Sequence, residues 1–215
     1  MRNTCVRFLT AFFMIFAIIP SAAGVYGQEK PSRVLIIYSS GNPQGSISNL
    51  KTDAVTLPTP KGMNVRVVAG KLSQSLQNRG LPVRMASASE ITGPDEIIES
   101  GMVIFGSPAY FNNVSWEIKK LIDEQFIRIY SKEKRLNGLR IAAFSMAEVI
   151  PSAEATLSVI RNTVMDCQGV FGPSMALLAK QPEEEVNKQI ESFAEEVFKR
   201  SEEHTSELQS PLNIS

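Results

Sequence analysis

The chain has 215 residues, 43% of them hydrophobic, with 22 basic side chains, 22 acidic ones and a single histidine. That length and apolar content suffice for one domain with a full core. The zero charge balance excludes the global basic field of a nucleic-acid binder, and two cysteines, Cys5 and Cys167, are too few for a disulfide scaffold.

Neither end is expected to join the core. Arg2 and Arg7 precede an apolar run from Phe8 to Ile19, and Pro20 then leads into the small residues Ser21, Ala22 and Ala23. This is the pattern of an export signal over residues 1–27, with an uncleaved membrane anchor as the alternative. It sends the protein to the periplasm or the exterior, or tethers it to the membrane. At the other end, Arg200 to Ser210 is the residue-for-residue translation of a common short-read sequencing adapter. Residues 200–215 are therefore expected to be a read-through segment, disordered and outside the fold. The two ends carry three basic residues (Arg2, Arg7, Arg200) and three acidic ones (Glu202, Glu203, Glu207), so the balance of residues 28–199 stays at zero. His204 leaves with the C-terminal segment, and with it the ligands for zinc and the base of Ser-His-Asp or Cys-His catalysis.

Between the ends, strand and helix signals alternate. Arg33 to Tyr38 is an apolar run suited to a buried parallel strand. A long Ser-, Gly-, Pro- and Asn-rich loop follows, from Ser39 to Gly62. Val65, Val68, Ala69, Leu72 and Leu76 recur at helical spacing, and Gly80 ends that helix. Val83 to Ala86 is the second strand, Asp95 to Glu99 a short helix, and Met102 to Phe105 the third strand. A helix over Trp116 to Ile129 leads to a fourth strand, Leu139 to Phe144. Ala153 to Cys167 is helical, Val170 to Leu178 contains the fifth strand, and Glu183 to Lys199 is an amphipathic last helix. Such alternation predicts an α/β, three-layer, doubly wound sandwich around a five-stranded parallel sheet in the order 2-1-3-4-5. A ligand would then sit beyond the carboxyl ends of the strands, where the order reverses, among the loops after strands one, three and four.

Those loops carry suitable chemistry. Ser39 and Ser40 offer hydroxyl and amide donors, and the helix starting at Asn64 aims its free N–H groups the same way, which suits a phosphate. The third loop, Gly106 to Ser115, brings Tyr110 and Phe111 together with backbone amides, which suits a flat heterocycle. Read alone, the first loop is first of all an ordinary turn and the two aromatics first of all core residues.

The run Gly-Ser-Pro-Ala-Tyr-Phe-Asn-Asn-Val-Ser (106–115), followed by Trp116-Glu117-Ile118-Lys119-Lys120-Leu121-Ile122-Asp123, resembles the flavin-loop signature of the flavodoxin-like superfamily. It is nearest to the NAD(P)H-dependent FMN reductases and the tryptophan-repressor-binding type of NAD(P)H:quinone oxidoreductases. Leu136 to Ser145 and Asn64 to Leu76 are similar to the same families' fourth strand and first helix. The resemblance spans Val34 to about Leu178. It implies FMN as cofactor, with Ser39, Ser40, Gly62, Met63, Asn64 and Val65 around the phosphate. Pro108, Ala109, Tyr110, Phe111, Asn112 and Asn113 would line the isoalloxazine, and Ser145, Met146, Ala147 and Glu148 would form the opposite wall. No catalytic side chain is assigned, since the flavin carries the redox chemistry. Val65 stands where the family has a threonine, and the first loop is enlarged by Gly41 to Lys61. The implied function is NAD(P)H-dependent reduction of a quinone or flavin; the alternative is a non-enzymatic exported electron carrier or a binding module with a degenerate flavin site. The expected partners are a flavin and a small electron acceptor, and a redox-protein partner and a homo-oligomer both stay open.

Overall fold

A computed structural model describes residues 33–39, 63–131 and 136–209. Strand β1 (Val34–Tyr38) is followed by α1 (Val65–Asn78), β2 (Val83–Ser87), a single 3₁₀ turn (Ala88–Glu90), α2 (Asp95–Ile98) and β3 (Met102–Pro108). Next come α3 (Trp116–Leu121), which runs through a π turn (Ile122–Phe126) into α4 (Ile127–Ser131), then β4 (Arg140–Ala147), α5 (Ile150–Asp166), β5 (Val170–Leu178) and α6 (Glu183–Gln209). The five strands form one sheet in the order β2-β1-β3-β4-β5, every pairing parallel. The expected topology is the one observed.

Alternation along each strand divides the core in two. Val34, Ile36, Met102, Ile104, Ala142 and Phe144 face α1 and α6, where Val68, Leu72, Leu76, Val186, Ile190 and Phe193 are buried against them. Leu35, Ile37, Val103, Phe105, Ile141 and Ala143 face the opposite layer, which contributes Ile97, Ile118, Leu121, Leu157 and Ile160. The apolar spacing read from the sequence of α1 is the buried face of that helix. Its end is a Schellman turn: Gly80 takes φ 88°, its N–H reaches the Gln77 carbonyl at 2.9 Å, and the Leu81 N–H reaches Leu76 O at 3.2 Å. Helices α1 and α6 lie side by side, tied by Lys71–Glu183 at 2.6 Å and Arg79–Glu191 at 3.0 Å.

Several boundaries differ from expectation. Strand β3 continues through Gly106, Ser107 and Pro108, and β4 through Ser145, Met146 and Ala147, all expected in loops. Each added residue has a partner: Gly106 pairs with Phe144, Ser107 with Ser145, and Pro108 with Met146. Serine and glycine resemble loop residues in a hydropathy pattern, but here the ladder on both sides holds them extended. The last helix also passes its expected end at Lys199 and runs to Gln209. Ser201 is buried and bonds its hydroxyl to Phe198 O at 2.7 Å, while the Arg140 guanidinium meets the Arg200 carbonyl. From Ser201 to Gln209 there is no glycine or proline to stop a helix, so the expectation of disorder from residue 200 onward is corrected as far as Gln209. The expected export signal and most of the first loop lie outside the described residues.

Candidate functional site

The carboxyl ends of β1, β3 and β4 meet where the strand order reverses. Tyr38 pairs with Gly106 and Ser107 with Ser145, so Ser39, Ser107 and Ser145 stand in a row on three adjacent strands. By alternation all three side chains fall on the α3 face, and all are buried, at 1%, 0% and 0% exposure. Each serine has a different role. The Ser39 N–H donates to Gly106 O at 2.9 Å, and its hydroxyl donates to Glu117 Oε2 at 2.5 Å. Ser107 Oγ accepts from the Ser115 N–H at 2.9 Å and so seats the start of α3. Ser145 Oγ has no hydrogen-bond partner among the described residues. Glu117 is 9% exposed, and it lies in the first turn of α3 behind the N-cap Ser115.

Loop three leaves β3 as a tight two-residue hairpin turn. Tyr110 and Asn113 exchange N–H···O bonds of 2.9 and 3.0 Å, and Phe111 and Asn112 between them have φ of 52° and 63°. Positive φ at both central positions makes a type I′ turn, usually supplied by Asn and Gly. A phenylalanine there costs about 1–2 kcal/mol of left-handed strain. The turn is held from three sides. Ala109 N–H reaches Met146 O at 2.9 Å, Ser152 Oγ reaches Asn112 Oδ1 at 2.6 Å, and Thr156 Oγ1 reaches Asn113 O at 3.1 Å. Held in this way, the Phe111 ring is fully exposed and Tyr110 is 45% exposed.

The remaining expected residues are placed as follows. Asn64 caps α1 by accepting from the Val67 N–H at 3.0 Å, Met63 packs against the core edge, and Val65 is a core residue. Pro108 and Ala109 are half-buried at the end of β3, and Asn113 Oδ1 accepts from Val114 N–H at 2.8 Å. Ser145, Met146 and Ala147, expected as a loop wall, are strand interior, and Glu148 is exposed. Ser40 and Gly62 lie outside the described residues. Sequence reasoning missed Glu117, Ser107, Ser152 and Thr156. Their partners are 78, 8, 40 and 43 positions away, beyond the reach of any local pattern. A shallow cavity of about 100 Å³ opens beside Glu117, between Trp116 and the Ser89 turn.

No protein-family model matches the chain. Over 80 residues it is 44% identical to a flavodoxin from Clostridium saccharobutylicum, a match covering 36% of this chain and 46% of that protein. The chain thus spans about half the length of this relative. Among solved structures it is similar to the flavodoxin of Streptococcus pneumoniae TIGR4, with TM-score 0.57 and 15% identity over 78% of this chain and 99% of the other. A WrbA-like flavodoxin protein from Agrobacterium tumefaciens gives TM-score 0.56 and 13% identity, over 80% and 99% of the two chains. The rubredoxin oxygen:oxidoreductase of Desulfovibrio gigas gives TM-score 0.57 and 14% identity over 83% of this chain and 37% of that one.

Proposed function

We propose that this chain, which has the flavodoxin-like fold, binds a flavin at the carboxyl edge of its sheet and carries electrons through it. The observation that bears this reading is the Tyr110–Asn113 turn. A strained backbone, pinned from β4 and α5, presents an exposed aromatic ring and amides at the strand-order reversal. Strain at a turn persists only where its surroundings impose it, and it concentrates at ligand sites. The ring end of a flavin fits this loop, being apolar on its faces and polar along its edge. The phosphate end of FMN fits less well. Among the described residues the Ser39 hydroxyl is engaged with a carboxylate, and Val65 brings no hydroxyl.

A bound flavin supplies one- and two-electron redox chemistry, and the protein's part is to hold and orient it. Two forms of the function follow. One is an enzyme reducing quinones or flavins with NAD(P)H. The other is an exported electron carrier, favoured by the flavodoxin match and by the signal-like N-terminus. NADH or NADPH oxidation by the flavin-loaded chain, with and without a soluble quinone, separates them. Turnover supports the enzyme, and a chemically reducible flavin that NAD(P)H does not reduce supports the carrier.

A further inference from the structure

The two edges of the sheet are finished differently. Strand β2 has five residues and is sealed: the Glu90 carboxylate takes the Ser87 N–H at 2.6 Å, and Arg84 is ion-paired with Glu96. Strand β5 has nine residues and carries no charge, Val-Phe-Gly-Pro-Ser-Met-Ala-Leu-Leu. The Ala179 N–H, just past its end, reaches Ala147 O on β4 at 2.7 Å. Counting back by twos, Leu177 and Met175 also turn their backbone groups to β4, so Ser174, Ala176 and Leu178 turn theirs outward. Leu178 is capped by Gln181, whose side chain accepts its N–H at 3.4 Å and whose own N–H meets its carbonyl at 3.2 Å. The outward N–H and C=O groups of Ser174 and Ala176 have no partner among the described residues, and Ser174 is exposed. Upstream, Gly172 and Pro173 together oppose Ala142 in a bulge, and a proline within a strand belongs at such an edge. An uncharged strand with open donors and acceptors is a template for another strand.

We infer that β5 pairs with the β5 of a second copy of this chain, antiparallel across a two-fold axis at Met175, to make a closed dimer. Ser174 of each copy then stands opposite Ala176 of the other, and the open groups of both residues become ladder bonds. Each copy uses its one open edge, and the sealed β2 edge gives a third copy nothing to add to, so the assembly closes at two. Helix α5 adds charge complementarity. Glu154, Ser158, Arg161 and Met165 recur on one exposed face of it, and Arg161 lies over the Phe171 ring at 5.1 Å, which turns that face toward the β5 edge. The two-fold axis sets the two α5 helices alongside each other in opposite directions. Each Glu154 then approaches the other copy's Arg161 rather than a like charge. The bulge confines the pairing to a few residues, so the contact is small and the association modest.

Analytical ultracentrifugation of the full chain, from about 1 to about 200 μM, tests this. A reversible monomer–dimer equilibrium is expected, with a dissociation constant of about 1–100 μM. Ser174→Pro removes an N–H that β4 does not use, and Ser174→Lys adds the charge by which natural edges resist pairing. Each is expected to weaken the dimer by about tenfold or more. Ser174→Lys lies on an exposed position and decides the matter if the proline variant does not fold. Glu154→Arg is expected to weaken the dimer, and Glu154→Arg combined with Arg161→Glu to restore it. A chain still monomeric at about 200 μM overturns the proposal and leaves the edge to an extended segment of another protein. A dimer that both Ser174 variants leave intact overturns it as well and places the contact elsewhere, as at the apolar run of residues 8–19. Assembly beyond the dimer overturns the closed pairing.

Discussion

A methyl group added at Gly106 tests how the strands beneath the site are packed. A Cβ built there lies 2.7 and 2.9 Å from Phe144 Cε1 and Cε2, and closer still to Cζ. Phe144 is fully buried among Ile104, Val68 and Met146, so its ring cannot swing into solvent and must retreat into a filled core. Inserting one methyl group into such packing costs about 1–3 kcal/mol. Replacing a strand glycine returns about 0.5–1 kcal/mol through the unfolded chain. Three ring carbons nearer than 3.0 Å place the cost in the upper half of that range, about 2–3 kcal/mol, so the net loss for Gly106→Ala is about 1–2.5 kcal/mol, and at about 2–4 °C per kcal/mol for a domain of this size the midpoint falls by about 2–10 °C. Thermal melts followed by circular dichroism measure the shift, and the Phe144→Ala background isolates its cause. There the added methyl has room, so Gly106→Ala should be neutral or stabilising, with a coupling of at least about 1 kcal/mol. A melt within about 1 °C of wild type, or equal effects in the two backgrounds, would refute the packing described for β3 and β4.

Phe111→Gly removes an exposed ring and relieves its positive φ, so stability should hold or rise by up to about 1 kcal/mol while flavin affinity falls about five- to tenfold. A large drop in melting temperature would instead assign Phe111 to the core. Ser145→Ala deletes a buried hydroxyl without a partner among the described residues, and should leave the urea midpoint unchanged or raise it; a clear fall would reveal a bond to that oxygen. Glu90 accepts from the Ser87 backbone at 2.6 Å and also bonds the Ser87 hydroxyl, which holds its carboxyl below the usual 4.5. Its contribution is thus present above pH 4.5 and is lost as pH falls through the lowered value. Glu90→Gln should therefore flatten the acid limb of the stability-versus-pH curve, and an unchanged limb would remove Glu90 from the explanation.

The fold was legible because its signals are local and repeat along the chain. Five apolar residues in a row from Val34 to Tyr38, all buried, mark a strand covered on both faces. The spacing of Val65, Val68, Ala69, Leu72 and Leu76, closed by Gly80, marks the helix behind it. Handedness and sheet-crossing rules then leave few orders for such units. The site was legible where a local motif carries it, as at Tyr110 to Asn113. It was not legible where a contact across the sheet decides a residue's state. Ser107 and Ser145 resemble loop residues until their pairing is known. Glu117 resembles a solvated helix residue until Ser39 is found against it. The π turn at Ile122–Phe126 has no periodic signature in so short a stretch, and the continuation of α6 to Gln209 follows from the lack of a stop signal.

Fluorescence titration of the full chain with riboflavin and with FMN tests flavin binding most directly. Quenching of at least one flavin is expected to saturate with a dissociation constant below about 10 μM, and to weaken in Phe111→Gly. If neither flavin is quenched at about 100 μM protein, the Tyr110–Asn113 turn is not a flavin site and the proposed function fails.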